Sequence, residues 1–481
     1  MQQKQIEEKV IGLLSDYSNL EDASSINSSS HLEGDLGLDS LDRIETIMRL
    51  EEEFNISFED EDDDGSYKTI QDLVAKIGCL LTPSKTNLKK TKRVISLQNL
   101  TVDKTDVERA GFNPYYKIVE SGLGRKILIE GKELINLGSN DYLGIANSKE
   151  LKQAASEALG KYGISMCGTP IVIGQSNVNR ELEKRLSEFL ETEETLVFPS
   201  GYQANSGIFQ VLAQESDVII ADKYAHSSLH SGMALSKAKK RLFNHNDVED
   251  LETLLEKSQN FNKKFIVVEG LYSTEGDITP LDKILELSRK YNAFVVLDDA
   301  HGIGVLGDKG KGVIEHFDAL GEVDLITGSL GKAIGCFGGF VSTSSEVAEV
   351  FKYKMGSLIY STALPPVISA ASLRALDMVE EGYDRREQIM KNKDKLFNAL
   401  DGQGYVLTPS STPLFSVIAG TNYEAAKLSR KLYESGVYGT PFLVPSVPEG
   451  RALIRLIPNA NLTEEDLNET VKVFERIKNE K

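Results

Sequence analysis

The chain has 481 residues, 40% hydrophobic and 26% charged, with a formal net charge of -19. That length calls for two to four domains of soluble globular composition, and no apolar run of about eighteen residues offers a transmembrane helix. The first residues, Met1–Lys9, lack the apolar core of a secretion signal. Cys79, Cys167 and Cys336, few and far apart, read as free thiols of a cytoplasmic protein rather than a disulfide framework or metal site.

The charge is uneven. Residues 1–80 hold 20 acidic and 6 basic side chains, a block that argues against nucleic acid and for a basic protein partner. In this stretch Ile6, Val10, Leu13 and Leu14 fit helical spacing, as do Leu41, Ile44, Ile47, Met48 and Phe54, and then Ile70, Leu73, Val74, Ile77 and Leu81. An acidic turn, 59–65, lies between the last two. Three or four short helices in a small all-α bundle are expected.

Asp35-Leu36-Gly37-Leu38-Asp39-Ser40-Leu41 precedes the acidic helix Asp42–Glu53. A serine at a helix N-terminus is ordinarily a cap, and the same position favours an anion. With its flanking Leu36, Leu41, Ile44 and Glu51-Glu52-Glu53-Phe54, the segment resembles the modification site of acyl carrier proteins. The resemblance implies 4'-phosphopantetheine on Ser40, and hence a phosphopantetheinyl transferase and an acyl-loading enzyme as partners.

Residues 81–105, with Lys85, Lys89, Lys90, Lys92 and Arg93, are polar and basic and read as a flexible linker. As a random coil such a segment spans about 27 Å. From residue 106 helices alternate with buried strands: Leu196–Phe198, Val218–Ile220, Phe265–Val268, Phe294–Leu297 and Leu325–Thr327, with helices Glu181–Leu190, Val248–Leu255 and Leu281–Tyr291. This rhythm specifies a mostly parallel sheet covered on both faces. After Pro365-Pro366 come a long helix, Val367–Met378, and mixed segments such as Leu414–Ile418 and Ala452–Ile457. The expected division is an arm and large domain over 106–365 and a smaller α+β domain over 366–481.

Parallel sheets bind ligands beyond the carboxyl ends of their strands. Gly302-Ile303-Gly304-Val305-Leu306-Gly307 fits a dinucleotide fingerprint, but Asp308-Lys309-Gly310-Lys311-Gly312 follows instead of a helix start, so that reading fails. Four other motifs occur in order: Ser200-Gly201-Tyr202-Gln203-Ala204-Asn205, Asp298-Asp299-Ala300-His301-Gly302, Gly328-Ser329-Leu330-Gly331-Lys332-Ala333 and Tyr360-Ser361-Thr362-Ala363-Leu364-Pro365-Pro366. Together they resemble the α-oxoamine synthases, fold-type-I pyridoxal phosphate enzymes that include 8-amino-7-oxononanoate synthase and serine palmitoyltransferase.

The resemblance implies a role for each matching residue. Lys332 would hold pyridoxal 5'-phosphate as a Schiff base and then act as acid and base at the substrate α-carbon. Asp298 would pair with the pyridine nitrogen, His301 would hydrogen-bond the phenolic oxygen, and His226 would stack on the ring. Gly201 and Tyr202 would offer backbone N–H groups, and Ser329 a hydroxyl, to the phosphate. Ser361 and Thr362 would reach the neighbouring subunit's phosphate, which implies a homodimer. Glu269 and Ser273 would line the sheet edge, while Asn140 and Arg455 would meet the amino acid, Arg455 gripping its carboxylate.

Three positions depart from the family pattern. Pro170 follows Gly168-Thr169 where arginine is usual, and Asn179 and Asn461 stand where histidines are usual. The expected reaction is a decarboxylative condensation of an amino acid with an acyl thioester, carried on Ser40 and giving an α-amino ketone. Two rivals are a free acyl-CoA donor with the front domain as a docking or regulatory module, and an aminotransferase or racemase. Glycine, alanine, serine and cysteate all remain open as the amino acid, and so does the acyl chain length.

Overall fold

The computed structural model describes residues 3–15, 26–38, 40–58, 67–81 and 104–480, excepting the side chains of Ser40, Leu41 and Ile44. Two compact units result, Met1–Thr101 and Val102–Lys481.

The first unit contains helices Gln3–Ser15, Ser40–Phe54 and Ile70–Leu81. Their apolar residues recur at helical spacing, so each helix presents one stripe inward. Ile6, Val10 and Leu14 meet Leu50, Phe54, Ile70, Leu73, Val74 and Ile77 in one core. Leu32, Leu36 and Leu38, from the segment leading to Ser40, also enter it. Asp72 starts the third helix by accepting the Lys68 and Thr69 N–H groups at 2.9 Å each, which holds its carboxyl below the ordinary value. Ser40 is the first residue of its helix. Asp39, the acidic turn 59–65 and linker residues 82–103 lie outside the described residues.

The second unit is built on a seven-stranded sheet: β1 Glu194–Phe198, β2 Val218–Asp222, β3 Lys239–Phe243, β4 Lys264–Glu269, β5 Phe294–Asp298, β6 Leu325–Ser329 and β7 Gly339–Thr343. Its spatial order is β1-β7-β6-β5-β4-β2-β3. All neighbours are parallel except β7, which runs antiparallel to both β1 and β6. Residues Val218–Asp222 and Lys264–Glu269 are buried throughout. Burial on both faces explains their continuous apolar runs. Strands β3 and β7 were not anticipated from sequence. Lys239–Phe243 is a sheet edge with its lysines exposed, and Gly339–Thr343 begins with glycine and ends in hydroxyl residues.

Register places the chemistry. Glu269 pairs with Asp298, and Asp298 with Thr327, so the carboxyl ends of β4, β5 and β6 lie side by side. Asp222 ends β2 on the same edge.

A second sheet joins Phe415–Gly420, Ala452–Leu456 and Thr440–Phe442 in antiparallel order. A third joins the hairpin Lys126–Ile129 and Lys132–Asn136 to Val437–Tyr438. Through it Ile135 and Leu137 enter the core formed by the C-terminal elements. Conversely Ala371, Ala375, Leu376 and Val379 of helix Pro366–Glu380 pack in the core of the large sheet. The two cores therefore exchange segments across the boundary expected at residue 365.

The glycines of the rejected fingerprint have packing reasons. A Cβ on Gly302 would lie 2.0 Å from Asp299 Oδ1, and Gly304 has φ +84°.

Candidate active site

A cavity of about 680 Å³ opens at the carboxyl edge of the sheet. Asn140, His226, Ser273, His301, Lys332 and Arg455 all line it. Six residues drawn from across more than 300 positions of sequence thus meet in one place.

Asp298 ends β5 and is buried. Its Oδ2 accepts from Asn205 Nδ2 at 2.7 Å, and its Oδ1 accepts from the Ala300 N–H at 3.1 Å. Asn205 Nδ2 also reaches Ser228 Oγ at 2.9 Å, and Ser228 Oγ meets His226 Nδ1 at 2.7 Å. One continuous chain, Asp298–Asn205–Ser228–His226, therefore fixes the carboxylate and the imidazole together. Asn205 falls inside a quoted motif, but its role and that of Ser228 have no local sequence signal.

His301 Nδ1 lies 2.8 Å from Tyr142 OH. Burial, then the charges of Lys332 and Arg455, hold His301 well below the ordinary histidine value, and burial raises the Tyr142 phenol. Both groups are therefore neutral, and the histidine tautomer sets which of them donates in this contact. Tyr142 is a further partner that the sequence did not single out.

Lys332 is half-buried beyond β6. Burial lowers its amine from 10.5 to about 8, against the opposing pull of Asp298 and Glu269. Glu269 is buried beside Asp298, and both effects push its carboxyl well above the ordinary range. Burial lowers His226, with the nearby Asp298 opposing.

Arg455 is buried in strand Ala452–Leu456. Its Nη1 donates to the Ser273 carbonyl at 3.1 Å and its Nη2 to Asn140 Oδ1 at 2.9 Å, with the guanidinium over the Phe442 ring. Its buried Nε has no hydrogen-bond partner among the described residues.

Helix Gly201–Leu212 begins at the same edge with Ser200 as cap and no acidic residue in its first turn. A methyl placed on Gly201 would sit 4.0 Å from Ser329 Cβ, so Gly201 and Ser329 adjoin. Gln203 Nε2 donates to Ser361 Oγ at 2.9 Å, bringing Ser361 to that first turn, and Thr362 beside it is exposed. Tyr202 is also exposed, its hydroxyl 2.8 Å from Ser231 Oγ.

The departures from the family pattern are structural here. Asn179 is buried, accepts from Ser176 Oγ at 2.6 Å and donates to the Leu364 carbonyl at 2.8 Å. Asn461 donates to the Gly144 carbonyl at 2.7 Å and accepts from Arg385. Pro170 opens the single wide turn Pro170–Gly174, outside the cavity.

These groups fit pyridoxal phosphate. An uncharged helix N-terminus and a hydroxyl suit its phosphate, a buried carboxylate suits its ring nitrogen, and the orphaned Arg455 Nε suits a substrate carboxylate. The fold and site define a fold-type-I pyridoxal phosphate-dependent transferase. Comparisons with known proteins agree. Residues 132–474 match the family model for aminotransferase class I and II, and residues 8–77 that for a phosphopantetheine attachment site.

The chain is 38% identical over 373 residues to 8-amino-7-oxononanoate synthase of Thermoanaerobacter pseudethanolicus, covering 77% of this chain and 94% of that protein. It is 38% identical over 351 residues to the enzyme of the same name from Treponema denticola, covering 73% and 89%. Among solved structures it resembles serine palmitoyltransferase from Sphingomonas wittichii, at TM-score 0.74 and 30% identity over 78% of this chain and 96% of that one. It also resembles 8-amino-7-oxononanoate synthase from Francisella tularensis, at TM-score 0.62 and 29% identity over 72% and 97%. The chain belongs to the aminotransferase class I and II family. It is a pyridoxal phosphate-dependent C-acyltransferase preceded by a helical phosphopantetheine-attachment domain. Among the described residues no helix is long and apolar enough to cross a membrane.

Proposed function

We propose that the enzyme condenses an amino acid with an acyl group held as a thioester on the phosphopantetheine of Ser40, releasing CO2 and thiol and leaving an α-amino ketone. The observation that carries this reading is the meeting of Lys332, His301, His226 and Arg455 at one cavity, with Asp298 joined to His226 through Asn205 and Ser228, in a chain that also contains a phosphopantetheine-attachment domain.

Pyridoxal phosphate, when bound, supplies an electron sink for charge developing at the amino acid α-carbon. Lys332 holds the cofactor and later carries the α-proton, and an amine near 8 both accepts and returns a proton close to neutral pH. Asp298, fixed by Asn205, faces the ring nitrogen. His301 would meet the phenolic oxygen, and His226 would cover the ring. Gly201, Tyr202 and Ser329 hold the phosphate, and Ser361 and Thr362 add to a phosphate site across a homodimer. Arg455, with Asn140 and Ser273 around it, would hold the substrate carboxylate, which leaves as CO2 once the acyl group has been added to the α-carbon. Glu269 stands beside Asp298, and burial together with that neighbouring carboxylate pushes its own carboxyl well above the ordinary range.

Tethering makes acyl delivery intramolecular, at an effective concentration of order millimolar. In this reading the carrier 1–80 is joined through 81–105 to the arm and large domain 106–365 and the small domain 366–481. A phosphopantetheinyl transferase and an acyl-loading enzyme, working in the cytoplasm, complete the scheme.

One observation favours a second reading. The relatives are 89–94% covered by 351–373 residues of this chain, a length comparable to the larger unit by itself. A free acyl-CoA donor with an unmodified front domain is therefore the competitor. Intact mass after co-expression with a phosphopantetheinyl transferase separates the two. A single added phosphopantetheine, absent from Ser40→Ala, supports the tethered reading, and an unmodified chain refutes it.

A further inference from the structure

Beyond the cofactor's own contacts, a second polar cluster stands behind the cavity wall. His245 follows β3, and its Nδ1 lies 3.1 Å from both Asp222 oxygens, while its Nε2 lies 2.9 Å from Asp277 Oδ2. Both ring nitrogens face carboxylates, so both donate and the ring is an imidazolium. Those two carboxylates raise it to about 9 despite its burial. Tyr224 stacks on one face, its centroid 4.5 Å away, and Tyr272 meets it edge-on at 4.4 Å.

The two carboxylates belong to different loops. Asp222 closes β2 and accepts the Tyr224 N–H at 2.7 Å and the Asn246 N–H at 2.9 Å, so it shapes the run that ends in His226. Asp277 ends the turn 272–277, which contains Ser273, Thr274 and Glu275, all on the cavity wall. Asn246 Nδ2 adds a second donor to Asp277 Oδ2 at 2.9 Å.

The far side of this turn is gripped by the C-terminal elements. Ser416 Oγ donates to the Thr274 carbonyl and Thr412 Oγ1 to the Gly276 carbonyl, each at 2.8 Å, and Arg451 pairs with Glu275 at 2.9 Å. The Ser273 carbonyl, as noted, receives Arg455.

We propose that His245 is a positioning residue: its two N–H groups tie the loop bearing His226 to the turn 272–277, whose Ser273 carbonyl sets Arg455. It is not among the residues that line the cavity. Through the clamp, the ring-covering group and the carboxylate-binding group keep their spacing. The proposal rests on the proposed function only for its amino-acid readout.

The test uses the full-length holoenzyme carrying His245→Gln, and separately Asp277→Asn, which keeps the shape of the turn. Backbone hydrogen exchange is followed over 271–278 and 222–226, with 294–298 as the internal control. Exchange in both loops is expected to rise by at least about tenfold in each variant, the loss of one hydrogen bond to a charged group, with the control unchanged. The half-saturating concentration of the amino acid that perturbs the native cofactor spectrum, chosen from glycine, L-alanine, L-serine and L-cysteate, is expected to rise while bound cofactor stays stoichiometric. Unchanged exchange in both loops overturns the clamp. Faster exchange throughout, including 294–298, also overturns it, because His245 would then be a global stabiliser. If no amino acid perturbs the native enzyme, the proposed function fails while the exchange result still decides the clamp.

Discussion

Asn205 offers the sharpest perturbation of the site. Its single amide nitrogen serves two acceptors, Asp298 Oδ2 at 2.7 Å and Ser228 Oγ at 2.9 Å, and the residue is buried. Asn205→Ala removes a hydrogen bond to a charged group, worth about 1.5–3 kcal/mol, and takes away the amide donor that links Ser228 Oγ to the carboxylate. The remaining oxygen contact of Asp298, from the Ala300 N–H, survives. If the carboxylate aligns the cofactor ring, the pyridoxal phosphate Kd should rise roughly 10- to 150-fold. Absorbance titration of apoprotein with the cofactor measures this directly. Asn205→Ser, short but polar, should recover part of the loss. A Kd within twofold of the native value in Asn205→Ala would refute the claim that this network positions the ring, provided the variant's Tm shows it folded.

Further outcomes follow from the same geometry. Only a neutral amine attacks the cofactor aldehyde, so the rate at which apoprotein takes up pyridoxal phosphate should rise with pH and level off above about 8. A midpoint near 10.5, the ordinary lysine value, would contradict the lowered amine. Arg455→Lys keeps a charge but loses the fork shared between Ser273 and Asn140. The amino-acid KM should rise more than tenfold with kcat less affected, as steady-state kinetics would show. Leu50→Ala, at a wholly buried position of the front unit, should destabilise that unit by about 2–5 kcal/mol. Because the chain divides into two compact units, calorimetry should show only one of two transitions lowered.

Much of the fold was legible because burial leaves a local trace. Strands β2, β4, β5 and β6 are covered on both faces, and their apolar runs announce them. Strand β3 left no such trace, being a lysine-rich edge, and β7 carries glycine and hydroxyl residues that suit a turn as well as a strand. The pairing of hairpin Lys126–Asn136 with Val437–Tyr438 joins segments some 300 residues apart, which no periodicity records.

The site divides in the same way. Lys332, Asp298 and His301 stood in recognisable motifs, and register alone then aligned Asp298 with Glu269. The residues that hold them were not marked as such, Asn205 included although it lies inside one of those motifs. Tyr142 meets His301 across 159 positions, and Asn205 meets Asp298 across 93. Such partners are set by tertiary approach, and an asparagine or tyrosine has no spacing that betrays it. The fingerprint-like glycines over 302–307 are the reverse case: a strong local pattern whose cause is close packing, Gly302 on Asp299, Gly304 on Ala333 and Gly307 on Glu315.

Single turnover of the acylated holoenzyme tests the central claim most directly. The carrier is loaded once with an acyl thioester on Ser40, excess acyl-CoA is removed, and the amino acid is added. The account predicts that the acyl group leaves Ser40 at the rate at which CO2 and one equivalent of α-amino ketone appear, and that Ser40→Ala forms none under the same conditions. An acyl group that stays on Ser40 while added acyl-CoA is consumed at the full rate would contradict it.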